Sequence, residues 1–152
     1  MAKVIVHTDE APKSPAGYSQ AVKSGGFVFV AGQGPFDART GEVVGTTIQE
    51  KTARCLKNIA AILQAANSSL ESVVSATFIL GEKRDFAGMD EEWGKWFPRD
   101  PPTRQGAKLP DRKGGQTRPV RDRTLKTTPR SGVWLILSHV QKAQEEKERR
   151  KF

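Results

Sequence analysis

The chain has almost no cysteine, almost no histidine and no long apolar run, and each shortage closes off a class of protein. A single cysteine, Cys55, among 152 residues cannot form an intrachain disulfide, which fits a reducing compartment. The two histidines, His7 and His139, lie far apart with no cysteine or carboxylate at ligand spacing, so the sequence gives no support to a metal centre. No apolar stretch approaches the roughly 20 residues of a membrane-spanning helix. The N-terminal Val4-Ile5-Val6 is too short for the apolar core of a secretory signal, and a soluble cytoplasmic protein is the expectation. There is no glycine-rich phosphate loop and no Ser/His/Asp nucleophile elbow.

What is present fits one globular domain: 36% hydrophobic residues, 14 glycines and enough length to bury a core. The net charge of +8 is unevenly spread. Residues 1–110 carry 13 Lys/Arg against 12 Asp/Glu, a balance of +1, whereas residues 111–152 carry 12 against 5, a balance of +7. The basic character therefore belongs to the C-terminal part, and whole-chain arguments for nucleic-acid binding lose force.

Local patterns predict the elements. Gly26 to Gly32 is a β-branched and aromatic run between glycines and reads as a buried strand. Asp37 to Gly41 has turn chemistry, and Glu42 to Gly45 is a candidate return strand. Thr47-Ile48-Gln49-Glu50 matches a capping box that opens a helix with Leu56, Ile59, Ala60 and Leu63 on one face, ending near Ala66-Asn67. Ser72 to Leu80 is a strand. Asp85 is placed to cap a second helix, with Phe86, Met89, Trp93 and Trp96 or Phe97 facing inward, closed by Pro98 and Pro101-Pro102. Arg104 to Leu109 is a weak strand and Gly132 to Val140 a stronger one. Between them, 111–130 holds seven Lys/Arg and only Val120 and Leu125 as large apolar groups, so it reads as an extended or disordered loop. Residues 141–152 form a charged tail, and the order as a whole predicts an α+β layer with a mixed sheet backed by two helices.

Three separated pieces carry the chemistry: Tyr18-Ser19-Gln20-Ala21, Ala31-Gly32-Gln33 and Pro101-Pro102-Thr103-Arg104. An arginine after a Pro-Pro corner offers a planar, two-pronged donor to a carboxylate that a lysine cannot reproduce. Taken alone, Arg104 reads rather as a surface arginine pairing with Asp100 or Glu92, and it is the motif with its upstream companions that reverses this. In this order the three pieces resemble the RidA/YjgF family over about residues 4–110, whose best-known members hydrolyse reactive imines of small 2-imino acids. The resemblance implies a chorismate-mutase-like mixed sheet packed on one face by two helices, assembled as a homotrimer with clefts between subunits. It implies that Arg104 clamps the substrate carboxylate, that the Gly32 backbone N–H approaches the same group, and that Tyr18 lines the cleft. Arg104 and Tyr18 are thus the expected catalytic residues, and Gly32 with Arg104 the expected substrate-binding residues. The implied substrates are 2-iminobutanoate and 2-iminopropanoate, released as 2-keto acids and ammonia. No cofactor or metal is expected, because an imine carbon is already electrophilic.

The chain departs from the family pattern in several places. Ala31 stands where serine is frequent, Gly17 where proline is usual, and Asp90 where Asn-x-x-Tyr or Asn-x-x-Trp is common. Asp90 is read as a helix-surface residue. The family's downstream glutamate has no counterpart, since no acidic residue lies between Asp122 and Glu145, and the change near Pro110 resembles a divergent or frame-altered C-terminus. Two alternatives follow. One is a ligand-binding or regulatory trimer that kept the anion cleft without turnover. The other is an RNA-binding, endoribonuclease-type translation inhibitor using the basic 111–130 segment, although that segment lacks aromatic residues for base stacking.

Overall fold

A computed structural model describes residues 2–108 and the strand 133–141. The expected basic loop over 111–130 and the tail beyond Gln141 lie outside the described residues.

Six strands form one mixed sheet in the order β1-β2-β3-β6-β4-β5. β1 (Val4–Val6) and β2 (Ala21–Ser24) add an antiparallel edge to β3 (Phe27–Gln33). β4 (Val73–Leu80) and β5 (Thr103–Lys108) run parallel, joined through the helix α2 (Phe86–Trp96) as parallel neighbours require. β6 (Val133–Gln141) inserts between β3 and β4, antiparallel to both. Among the described residues the last strand in sequence is thus an inner strand of the sheet, holding its two halves together.

The helix α1 (Ile48–Ala65) begins where its sequence signal lies. The Thr47 side chain accepts the Glu50 N–H and the Glu50 carboxylate accepts the Thr47 N–H, closing the capping box. At its other end Asn67 takes the left-handed conformation at φ 58°, and the Ser68 N–H returns to the Leu63 carbonyl at 2.8 Å. Leu56, Ile59, Ile62 and Leu63 are wholly buried on the face that meets the sheet. Cys55 packs with them; burial pushes its thiol far up, as suits a packed rather than a reactive cysteine.

Several expectations need correction. Glu42 to Gly45 is not a continuous strand: it makes one isolated bridge, Phe36 to Val43, flanked by the Asp37 N–H to the Glu42 carbonyl and the Val44 N–H to the Pro35 carbonyl. The carbonyls of Gly34 and Phe36, which a ladder could have used, accept instead from Asn58 and Arg54 on α1. Phe86 is 44% exposed, and the inward face of α2 is made by Met89, Trp93 and, just beyond its end, Phe97. Asp85 stands at the start of α2 but makes no side-chain cap there, because a short 3-10 turn over Lys83–Asp85 leads the chain in. β1 and β2, too short to show periodicity, escape the sequence reading altogether.

One face of the sheet carries the helices. Across the first three strands, Val6, Ala21 and Val30 are register partners and all buried. On the opposite face their neighbours Ile5, Val22 and Phe29 are also aligned, and Ile5 and Phe29 are 52% and 40% exposed.

Candidate active site

The three pieces singled out in the sequence fall in two places. Gln20 is not a surface residue of its motif but a buried anchor, 1% exposed. Its amide oxygen accepts the Thr8 N–H at 2.8 Å, and its nitrogen donates to the carbonyls of Thr8 and Pro12. It therefore ties residues 8–12 beside the end of β3. Tyr18, 54% exposed, and Gly32 then line one cavity of about 630 Å³ together with Phe36, Asp37 and Arg39. At Ala31-Gly32 the β3–β6 register slips, between the pairs of Val30 and Gln33, as expected where a backbone turns away from the ladder. Gly17 adopts φ 113°, closed to proline, so the approach to Tyr18 follows a different path from a Pro-Tyr entry.

The cavity wall is firmly tied. Arg54 Nη2 meets Asp37 Oδ2 at 2.5 Å, and Arg54 Nε donates to the Phe36 carbonyl at 3.1 Å. Asn58 Nδ2 donates to the carbonyls of Gly34 at 3.2 Å and Phe36 at 2.9 Å. The Thr40 and Arg39 N–H groups, with Arg54 behind them, hold the Asp37 carboxyl below the usual carboxylate range. No feature of the sequence marked Asn58 or the Asp37–Arg54 pair; an amide and a guanidinium near an apolar helix face were the only available signal.

Arg104 lies elsewhere. It sits on β5, opposite Ala76 of β4, and is not among the residues lining that cavity. β3 and β5 are three strand spacings apart, roughly 14 Å at about 4.8 Å each. A single chain therefore does not bring Arg104 to Tyr18 and Gly32. The guanidinium lies among three rings, with Cζ at 5.2 Å from the Trp93 centroid, 5.4 Å from Phe78 and 5.8 Å from Phe86. The Phe78 ring can lie there because Gly106 faces it; a Cβ on Gly106 would come within 2.1 Å of the Phe78 ring tip. Arg104 Nη2 binds Asp90 Oδ1, not Asp100 or Glu92, because Glu92 is already engaged by Lys95 Nζ at 2.9 Å and Trp96 Nε1 at 3.0 Å. Arg104 Nη1 is closed off from solvent and has no hydrogen-bond partner among the described residues.

Among the described residues no group of three His, Cys, Asp or Glu could hold a metal ion, and no helix is long and apolar enough to cross a membrane.

This is an α+β domain with an arginine held at the edge of its sheet and a cavity at the end of β3, three strands away. Residues 8–111 match the endoribonuclease L-PSP family, and the chain belongs to that family, which is also the RidA/YjgF and RutC family. It is 47% identical over 104 residues to a RutC family protein of Pyrococcus abyssi, covering 68% of this chain and 82% of that protein. It is 36% identical over 111 residues to the chloroplastic Reactive Intermediate Deaminase A of Arabidopsis thaliana, covering 71% of this chain and 59% of that one. The fold matches yeast Mmf1 with a TM-score of 0.76 at 26% identity, over 92% of this chain and 99% of that one.

Proposed function

We propose that the protein hydrolyses reactive 2-imino and enamino acids, such as 2-iminobutanoate and 2-iminopropanoate, to 2-keto acids and ammonia. The observation that carries this reading is Arg104: a guanidinium held among three aromatic rings, whose ion-pair partner among the described residues is the more exposed Asp90 carboxylate, sits where a small substrate carboxylate can take that partner's place. Membership of a family that includes a reactive intermediate deaminase supports the same reaction class.

The separation of Arg104 from Tyr18 and Gly32 implies that the complete cleft needs two copies. The apolar Ile5–Val22–Phe29 face is the surface that needs covering, and a homotrimer with clefts between subunits meets both needs. In that cleft Arg104 of one subunit and the Gly32 N–H of the next fix the carboxylate, while Tyr18 closes the side. Water adds to the iminium carbon, one of its protons passes to the nitrogen, and the protonated carbinolamine expels ammonia, which takes up the remaining O–H proton to leave the keto acid and ammonium. Holding the carboxylate sets the carbon at near-attack distance from that water. Since 123–144 holds no acidic residue, the substrate's own nitrogen is the natural proton acceptor. The protein would act without a cofactor and within the cytoplasm.

The test is ammonia and keto-acid release from 2-iminobutanoate made in place by a threonine dehydratase. Acceleration that disappears in Arg104→Ala, with the assembly intact, is the expected result; equal rates in both proteins overturn it. Ligand binding without turnover would make the protein a regulatory relative instead. An RNA-cleaving role has less behind it: residues 1–110 are close to electrically neutral, and His7 is 61% exposed beside Asp9.

A further inference from the structure

Asp90 reads from sequence as a helix-surface carboxylate, but the structure gives it a specific partner. It is the carboxylate on α2 that reaches Arg104: Glu91 meets Gln49 at 3.2 Å and Lys95 at 3.6 Å, and Glu92 is taken by Lys95 and Trp96. The pair is unequal in exposure, 21% for the Arg104 side chain and 49% for that of Asp90. The guanidinium is thus sheltered while the acid that neutralises it stands at the rim.

A carboxylate ligand that uses both arms of Arg104 cannot be accommodated in this arrangement. Nη2 is held by Asp90 and Nη1 is shut away from solvent. Either Asp90 lets go or the guanidinium swings within its ring of Trp93, Phe78 and Phe86, and a second carboxylate then competes with Asp90 for the same charge. We propose that Asp90 is a latch on Arg104, an internal carboxylate that presets the guanidinium in its aromatic cage and must be displaced by the incoming substrate carboxylate. This rests on the reading of Arg104 as the carboxylate-binding residue. Binding is then an exchange of one carboxylate for another, so affinity for small anionic substrates is set as much by Asp90 as by Arg104. Asp90 is a positioning residue, since it acts through Arg104 and not on the substrate.

Asparagine at position 90 keeps the size and the acceptor oxygen but removes the competing charge. Calorimetric titration with 2-oxobutanoate, the stable keto-acid anion, is expected to show about 2- to 5-fold tighter binding to Asp90→Asn than to wild type, the range for a partly exposed charge pair. The gain should shrink with added salt. In turnover the same variant should show a lower KM with kcat little changed. Asp90→Glu, which keeps the charge, should bind no more tightly than wild type, and the uncharged methyl ester should bind all three alike. Asp90→Ser is a second neutral variant, expected to tighten anion binding in the same direction if asparagine perturbs α2. Equal or weaker 2-oxobutanoate binding by folded neutral variants, with binding still dependent on Arg104, removes the latch and leaves the proposed function standing. If Arg104→Ala binds the anion as well as wild type does, the carboxylate role of Arg104 falls and the latch with it.

Discussion

The two polar regions of this domain are built in opposite ways. Around the end of β3, the polar groups close on one another: Asn58 and Arg54 take the Gly34 and Phe36 carbonyls, Asp37 takes Arg54, and Gln20 ties down residues 8–12. Around β5 and α2, a guanidinium is held by aromatic faces and one rim carboxylate, with its second arm unpaired. The first is how a backbone is fixed in place, since a buried network rigidifies when every member is paired. The second leaves hydrogen-bonding capacity unused among the described residues, which a ligand can claim only if the guanidinium moves or Asp90 gives way. The difference separates a backbone held by its own paired groups from an arginine whose proposed ligand would replace a rim carboxylate.

The comparison is broken most severely at Arg104. Arg104→Ala should lower imine hydrolysis by about 100-fold or more while the melting temperature moves little, because the carboxylate would no longer be oriented. Arg104→Lys should recover only a small part, since the planar fork is lost. A stability loss as large as the activity loss would put Arg104 among the structural groups.

Asn58→Ala should do the reverse. It leaves buried carbonyls short of a donor and should cost about 1–3 kcal/mol, read as a lower urea midpoint, with the smaller effect on anion binding at Arg104. An unchanged midpoint would mean that water replaces the amide.

Gly106→Ala sharpens the functional side. The new methyl must push the Phe78 ring aside, which loosens the cage around Arg104 without touching any hydrogen bond named above. Turnover should fall by about 10-fold, in line with sensitivity to small misplacements. Normal turnover would show that Trp93 and Phe86 suffice to hold the guanidinium.

The mildest effect is expected at the α1 cap. The N–H groups of Thr47 and Thr46 lower the Glu50 carboxyl from its ordinary 4.5 to about 2. The folded carboxyl therefore titrates below the unfolded one, and its contribution is complete above about pH 4.5 and lost as pH falls toward 2. Glu50→Gln should flatten the melting-temperature profile across that window, and an identical profile in the variant would assign the acid sensitivity elsewhere.

Much of this was legible in the chain. α1 could be read to within a residue because a capping box and an Asn terminator mark its ends and Leu56, Ile59 and Leu63 mark its face. β3, β4 and β6 were visible as short β-branched or aromatic runs bounded by glycines or turns, and β5 as a weaker candidate. β1 and β2 were not visible, since strands of three and four residues carry too few alternations to register. Arg104 could be singled out by its motif, but not its surroundings: Phe86, Trp93 and Asp90 stand 18, 11 and 14 residues away along the chain.

The sequence by itself determined the α+β class, the first helix and the family, because capping, alternation and motif order are local properties that neighbouring residues enforce. Only the tertiary structure decided that the last strand lies between β3 and β4, that Tyr18 and Gly32 stand across the sheet from Arg104, and that Asp90 holds the guanidinium. Those outcomes depend on which distant segments pair and which side chains are then left facing one another, and such contacts exist only once the sheet has closed.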